Sequence, residues 1–389
     1  MRTRVTKARV PKARLAVLAA TAATVALAAG CGSGAPAATA TTSAARPARP
    51  PLAASFAGRA GAGWTIVQMG GSATQEDNFW QMFYRQASTW RLATPAGVAD
   101  NGGLVVTGTP AGPLLTGFLP SQDLTFSPLA TSTNSGATWS AASPVDPGLA
   151  DVPDALAAGP GGRLIALTSG GAELSQRLGA SWTHLITAKA LAATPAARAC
   201  QVTGLTGAAF SPAGVPMLAA TCARPGVAGL FAETNGTWHA TGPRLPAAFS
   251  KENIDVLRLA ATGSGMVALL RAGTGTLLAG WMASNGAAWT LSPPLRTGGR
   301  RVTSTAVGPG WSMGIILNAA DGLTLSGPAG SWRRLPALPR WSATLALGSS
   351  GQVDALAAHG ATFTDWRLGA AGWTSGQTIH ITIPYGSSS

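Results

Sequence analysis

The sequence has few of the groups on which most catalytic and metal sites depend. Its 389 residues include only 2 Tyr, 3 Cys and 4 His, and charged residues make up 11% of the chain. The histidines are far apart, without HxH or HExxH spacing, and no G-x-S-x-G motif lies in a strand–helix context. We therefore expect no metal and no cofactor. The histidines are His184, His239, His359 and His380.

Long apolar runs are also scarce, and the one that stands out lies near the N-terminus. Residues 1–14 carry six cations and no acid, and residues 15–29 are an apolar run that ends at Gly30 and Cys31. A helix that spans a bilayer needs about 20 apolar residues, so this run is too short for a membrane span. A basic segment, a short apolar segment and small residues are typical of a secretory signal peptide. We predict a signal peptide at residues 1–30.

Residues 27–31, Leu-Ala-Ala-Gly-Cys, resemble the bacterial lipobox. The resemblance implies cleavage just before Cys31 and lipid attachment to Cys31, on the outer face of the cytoplasmic membrane. The family usually has Leu three residues before the cysteine, whereas Leu27 lies four before it, so an ordinary secreted protein is the alternative. Residues 31–62 are rich in Ala, Pro, Ser and Thr and predict a flexible tether, with the folded domain at 63–385.

Basic residues outnumber acidic ones, 27 to 14, but six of the basic residues lie in the predicted signal peptide. The others are scattered, and only Arg300-Arg301 and Arg333-Arg334 are adjacent. Nucleic-acid binding needs a basic stripe, so we predict no nucleic-acid partner. A mildly cationic surface suits anionic envelope polymers or lipid head groups. We expect a monomer.

Tryptophan recurs in a repeat. Seven of the 13 tryptophans follow small residues at intervals of about 40–55 residues, and in five cases a proline follows shortly after. Short apolar or alternating runs separated by turns, such as 302–307, 313–317 and 323–325, indicate three further strands per repeat. The repeat tryptophans are Trp90, Trp139, Trp182, Trp238, Trp289, Trp332 and Trp373.

A four-stranded unit of this length is typical of a propeller blade. We therefore predict an all-β chain that forms a closed β-propeller of seven blades, with six as the alternative. Only 26 residues separate Trp64 from Trp90, so the first blade is short. We expect a strand near 65–69 to complete the last blade beside 378–383 and so to remove both free sheet edges.

Residues 132–139, Ser-Thr-Asn-Ser-Gly-Ala-Thr-Trp, resemble the Asp-box hairpin of sialidase-type (BNR-repeat) propellers, S-x-D-x-G-x-T-W, with Asn for Asp. Residues 175–182, 234–238 and 284–289 are eroded copies. In that family the hairpin is a structural element on the outer rim, so the resemblance concerns architecture and not chemistry. The matching residues are Ser132, Asn134, Gly136, Thr138 and Trp139.

With Cys31 assigned to lipid, Cys200 and Cys222 remain, and an oxidising compartment favours a disulfide between them. We place this bond inside blade four, between strands at 200–205 and 215–222, with Cys200 directly opposite Cys222. Two buried free thiols are the alternative.

The catalytic residues that a sialidase-like enzyme would need do not map onto this chain. The resemblance implies an arginine triad, a Tyr–Glu nucleophile pair and an acidic Asp, but the Arg-Ile-Pro signature is absent and only Tyr84 and Tyr385 are present. Glu76 and Asp77 beside aromatic residues would suit carbohydrate, but a packed first blade explains the aromatic residues better. Asp151 and Asp154 fit turn chemistry.

We therefore predict no catalytic residue. The expected function is non-catalytic binding or scaffolding at the cell envelope, with a glycan or a protein as partner. A sialidase-like glycan hydrolase is the alternative, and a subunit of an envelope complex is a further possibility.

Overall fold

The computed structural model describes part of the chain, and every described residue lies in one compact unit, Ala45–Ser389. The predicted signal peptide and Cys31 lie outside the described residues. The described residues are 56–57, 63–69, 79–86, 89–94, 104–108, 114–118, 129–134, 136–141, 155–177, 180–262, 265–284, 288–299, 302–306, 314–318, 322–326, 331–338, 343–347, 352–359 and 362–380.

The described residues form seven antiparallel sheets in chain order, and the first four sheets have four strands each. Sheet one contains β1 (Phe56–Ala57), β2 (Gly63–Met69), β3 (Phe79–Gln86) and β4 (Thr89–Leu92). Sheet two contains β5 (Leu104–Gly108), β6 (Leu114–Phe118), β7 (Leu129–Ser132) and β8 (Ser140–Ala141). Sheet three contains β9 (Ala155–Ala158), β10 (Leu164–Thr168), β11 (Gly171–Ser175) and β12 (Trp182–Ile186). Sheet four contains β13 (Val202–Phe210), β14 (Pro216–Cys222), β15 (Gly229–Thr234) and β16 (Thr237–Ala240).

The remaining three sheets follow the same order, and sheet five has an additional short strand that also pairs with its third strand. Sheet five contains β17 (Ile254–Thr262), β18 (Gly265–Ala272), β19 (Thr276–Ala283), β20 (Thr290–Leu291) and β21 (Leu295–Arg296). Sheet six contains β22 (Val302–Ala306), β23 (Gly314–Asn318), β24 (Gly322–Ser326) and β25 (Trp332–Arg334). Sheet seven contains β26 (Ala343–Leu347), β27 (Val353–His359), β28 (Thr362–Gly369) and β29 (Gly372–His380).

Strands that are neighbours in sequence are neighbours in each sheet, and the first strands of several successive sheets pack together, as β9 does with β13 and β13 with β17. Serial four-stranded antiparallel sheets packed in this way are the architecture of a β-propeller. The predicted all-β class and propeller fold are confirmed. Closure of all seven sheets into one ring of seven blades stays a prediction.

The first and last sheets differ from the expected closure. Strand β2 pairs with β1 and β3 inside sheet one, and β29 pairs with β28 inside sheet seven. The prediction that residues 65–69 complete the last sheet is therefore wrong. Sheet one obtains its fourth strand from Phe56–Ala57, which lies inside the segment predicted as tether, so the folded domain begins at least as early as Phe56 and not at residue 63.

Helical structure in the described residues is limited to short segments between strands. The α-helix α1 (Ala188–Ala192) begins after Thr187, whose hydroxyl accepts a hydrogen bond from the Ala190 amide at 2.9 Å. Three short 3-10 segments lie at Pro160–Gly162, Pro195–Ala197 and Ala247–Phe249. Among the residues that the structure describes, no helix has the length and apolarity needed to cross a membrane.

The hydrophobic core lies between adjacent sheets. Strands β14 and β18 are buried almost throughout, because other sheets cover both of their faces. Leu174 and Leu218 belong to one buried cluster that joins sheets three and four, and Leu230 and Leu270 belong to another that joins sheets four and five. Each sheet therefore depends on its neighbours for burial of its apolar surface.

Candidate binding site

The predicted disulfide between Cys200 and Cys222 is present, with the two Cα atoms 4.7 Å apart and both residues buried. The register differs from the prediction, because Cys222 lies opposite Val202 at the end of the β13–β14 ladder. Gln201 adopts a positive φ of 56°, and the Arg224 amide donates to the Cys200 carbonyl at 3.1 Å. This local turn brings Cys200 to Cys222 although Cys200 lies outside the strand.

The Asp-box-like turn at 132–139 connects β7 to β8. The Ser132 hydroxyl accepts a hydrogen bond from the Gly136 amide at 2.6 Å, and the Asn134 carboxamide oxygen accepts one from the Thr138 amide at 2.8 Å. Gly136 has φ of 77°, a conformation that glycine adopts at little cost. The turn is thus held by its own side chains, whereas its kinship with sialidase-type propellers stays a prediction.

Each repeat tryptophan lies in, or immediately before, the fourth strand of its sheet. Four of them donate the indole N–H to a backbone carbonyl of the preceding sheet. The acceptor lies three or four residues after the repeat tryptophan of that sheet, so the bond joins the two sheets. The bonds run from Trp139 to Ala93 (2.7 Å), from Trp289 to Thr241, from Trp332 to Pro293 (2.8 Å) and from Trp373 to Pro336 (3.0 Å).

Sheets one and seven meet at a buried cluster of charges that sequence reasoning missed. Arg85 on β3 donates to Asp354 at 2.5 Å and to Asp365 at 3.1 Å, and the Arg85 side chain is 2% exposed. Burial alone would lower the pKa of Arg85, but the hydrogen bond and charge of Asp354, followed by those of Asp365, outweigh it, so the pKa is raised. Arg367 binds the second oxygen of Asp354 at 3.2 Å, so two guanidinium groups balance two carboxylates.

One further contact crosses this boundary between sheets one and seven, which we call the seam, and another lies within sheet one beside it. The Trp90 amide donates to the Gln377 side-chain oxygen at 2.6 Å, and the Arg85 guanidinium lies 5.5 Å from the centre of the Trp90 ring. Because both aspartates already hold arginines, the seam is a structural contact and not a pair of carboxylates available to a substrate.

The first strands of the seven sheets carry little charge. In the described first strands, Asp255 and Arg258 are the charged residues, and both lie on β17. Desolvation of the Arg258 guanidinium lowers its pKa, although the residue as a whole is exposed. The first strands thus bring together no pair of acids of the kind that a glycosidase uses.

A groove of about 650 Å³ lies at the end of sheet five that faces the start of sheet six, where β17 and β22 begin and where β18 turns into β19. Its walls carry one carboxylate, one guanidinium, one carboxamide and three hydroxyl groups, together with glycine backbone. We call this feature the groove. It is lined by Asn253, Asp255, Arg271, Gly273, Thr274, Thr276, Leu277, Thr297, Gly299 and Val302.

An exposed ion pair forms one wall of the groove. Asp255 and Arg271 are direct cross-strand neighbours on β17 and β18. Arg271 Nη2 and Nε both donate to Asp255 Oδ2, at 2.6 and 3.0 Å, and the two side chains are 44% and 37% exposed, arginine first. Within the described part of the chain, Asp255 Oδ1 makes no hydrogen bond, so it remains available to a ligand.

The backbone of the groove is held by hydrogen bonds across its two turns. The Gly273 amide donates to the Asn253 carbonyl at 2.9 Å, and the Thr297 amide donates to the Gly275 carbonyl at 2.8 Å. Gly273 and Gly299 have φ of 57° and 77°, which favours glycine and leaves the backbone accessible from the groove. The backbone that lines the groove is therefore held in place by hydrogen bonds within the protein, without a ligand.

The other residues singled out from the sequence do not join the groove. His184 pairs with Glu173 at 2.9 Å on sheet three, while His239 and His380 are exposed on separate strands. Tyr84 is buried, with Arg91 5.6 Å from its ring centre, as expected for a packed first sheet. No group of three or more potential metal ligands occurs among the described residues. Glu76, Asp77, Asp151, Asp154 and Tyr385 lie outside them.

Comparison with known proteins identifies no family. No family model and no curated protein matches the chain. Among solved structures, the chain is similar to a calcium-binding protein, regucalcin, from Agrobacterium tumefaciens, with 12% identity, a TM-score of 0.40 and coverage of 69% of this chain and 84% of that one. It is similar to apo AztD from Citrobacter koseri, with 12% identity, a TM-score of 0.44 and coverage of 85% and 86%.

A third similar structure is the β-propeller domain of Cps50 (Swd1) from Myceliophteria thermophila, with 10% identity, a TM-score of 0.49 and coverage of 86% and 98%. Likenesses at this distance do not indicate a function.

Proposed function

We propose that this chain is an exported, lipid-anchored propeller that binds a glycan or a protein partner at the cell envelope without catalysing a reaction. The observation that carries the proposal is the buried Cys200–Cys222 disulfide. Disulfides persist in oxidising compartments and are rare in the cytosol. This agrees with the signal-peptide pattern of residues 1–30 and with lipid attachment at Cys31.

The proposed binding role is supported by the different surroundings of the charged side chains in the seam and in the groove. The buried aspartates of the seam are neutralised by Arg85 and Arg367, whereas the groove presents exposed polar groups on a built backbone. A concave site with several convergent polar groups is the usual form of a binding site. The chain therefore offers a site for recognition.

The proposal is tested by replacing Cys31 with Ser in the full-length chain, expressed in a bacterium that processes lipoproteins. We expect the wild-type chain to incorporate an alkyne-labelled fatty acid and to sediment with membranes, because Cys31 carries the acyl chains. The Cys31→Ser variant should lose the label and appear in the medium or as unprocessed precursor. A Cys200→Ser variant is the matched control and should keep the label.

Normal processing and membrane attachment of the Cys31→Ser variant would show that the anchor is wrongly assigned. Turnover of sialosides or aryl glycosides that survives repurification and disappears when one acid is replaced would favour the alternative, a sialidase-like hydrolase. We expect no such turnover.

A further inference from the structure

We propose that the groove is a binding site for a neutral sugar unit of a glycan. This inference rests on the proposed binding role and narrows the partner to one chemical class. The groove volume, about 650 Å³, lies within the range of about 300–1,000 Å³ that is usual for small-ligand sites.

The charges of the groove favour a ligand without net charge. Its lining holds one carboxylate, Asp255, and one guanidinium, Arg271, and these two are paired with each other. A phosphate or sulfate ligand would need an excess of cations, and a metal ion would need several acids. Among the residues that the structure describes, the lining has neither excess.

The polar groups of the groove match the hydroxyl groups of a sugar. Carboxylate, guanidinium and carboxamide groups are planar and present two adjacent hydrogen-bonding atoms, which suits two neighbouring hydroxyls on a sugar ring. Asp255 Oδ1 can accept from one hydroxyl while Arg271 donates to another. Thr274, Thr276 and Thr297 add groups that both donate and accept.

The described lining has two aliphatic side chains and no aromatic side chain, and this also favours a sugar over an apolar ligand. Leu277 and Val302 are the two aliphatic side chains of the lining, and they offer a limited surface to the C–H face of a ring. Sites for apolar ligands are lined mainly by hydrophobic and aromatic groups. The lining therefore selects a hydroxyl-rich ligand over an apolar one.

The test measures binding of the purified exported chain to immobilised short oligosaccharides of neutral hexoses and N-acetylhexosamines, with sulfated oligosaccharides as comparison. The oligosaccharide that binds best is then titrated against three variants. Asp255→Asn and Arg271→Gln remove the charged partners, and Thr274→Trp fills the groove from an exposed turn. Each should weaken binding by about tenfold or more. The first two lose hydrogen bonds to charged groups, which contribute most, and Thr274→Trp occupies the space of the ligand.

Glu173→Gln is the matched control, because it removes the carboxylate of a different cross-strand pair, the partly exposed Glu173–His184 pair on sheet three. It should bind like the wild type, and all four variants should melt at the wild-type temperature. Equal binding by the three groove variants and the control would overturn the inference, as would binding to sulfated oligosaccharides alone or to none. Capture of a protein partner by cross-linking in that last case would leave the proposed binding role intact.

Discussion

The seam and the groove each contain an arginine–aspartate contact, but their surroundings differ. Arg85 and Asp354 at the seam are 2% and 6% exposed, whereas Arg271 and Asp255 in the groove are 44% and 37% exposed. A buried pair must satisfy its charges inside the protein, since water cannot replace a missing partner. An exposed pair is weakly held and can exchange its partner for a ligand. The same two residue types therefore hold sheets together in one place and are available for recognition in the other.

The largest expected effect comes from breaking the seam. Arg85→Met leaves Asp365 buried without its arginine, and removal of one partner from a buried pair destabilises a protein by about 3–5 kcal/mol. Arg271→Met in the groove is the control and should change the free energy of unfolding by about 1 kcal/mol or less. Denaturant unfolding of both variants measures the difference. Similar losses would show that burial does not distinguish the two regions.

The next effect concerns the disulfide. It lies next to the start of β13, the first strand of sheet four, just as the groove lies next to the start of β17, the first strand of sheet five. Replacing both Cys200 and Cys222 with Ser frees a loop with a sequence separation of 22 residues and should lower stability by about 3 kcal/mol. Denaturant unfolding with and without a reducing agent measures this loss. The reductant should weaken the wild type and leave the double variant unchanged. Alkylation of two thiols in the unreduced, unfolded wild type would contradict the bond.

The smallest effect compares the seam with another boundary between sheets. Trp332→Phe keeps an aromatic ring but removes the hydrogen bond to Pro293, which should lower the free energy of unfolding by about 1 kcal/mol. Trp90 at the seam has a buried indole N–H without an acceptor among the described residues, so Trp90→Phe loses no such bond but leaves space beside the buried Arg85. Thermal unfolding of both variants therefore measures the bond at Trp332 and the packing at Trp90. A Trp332→Phe variant as stable as the wild type would mean that the indole bond contributes little.

Much of the fold could be predicted because its signals are local. The tryptophan spacing marked the fourth strand of each sheet, and the turn 132–139 contains the side chains that hold it. The Cys200–Cys222 pair was predicted because these two cysteines remain once Cys31 is assigned to lipid, and because both lie close to one predicted hairpin. Its register was wrong, because the left-handed conformation of Gln201 leaves no mark in the sequence.

The groove and the seam each combine residues from separate parts of the sequence. Asp255 and Arg271 are 16 residues apart and could have been paired from the β17–β18 hairpin. The rest of the groove wall comes from the β18–β19 hairpin and from Thr297, Gly299 and Val302. Arg85 and Asp354 are separated by 269 residues, and no local pattern relates them. The sequence alone therefore determined the strands, the turns and the disulfide partners, since each depends on near neighbours. Only the tertiary structure decided which charges are buried as partners and which remain exposed, because burial depends on the packing of one sheet against another.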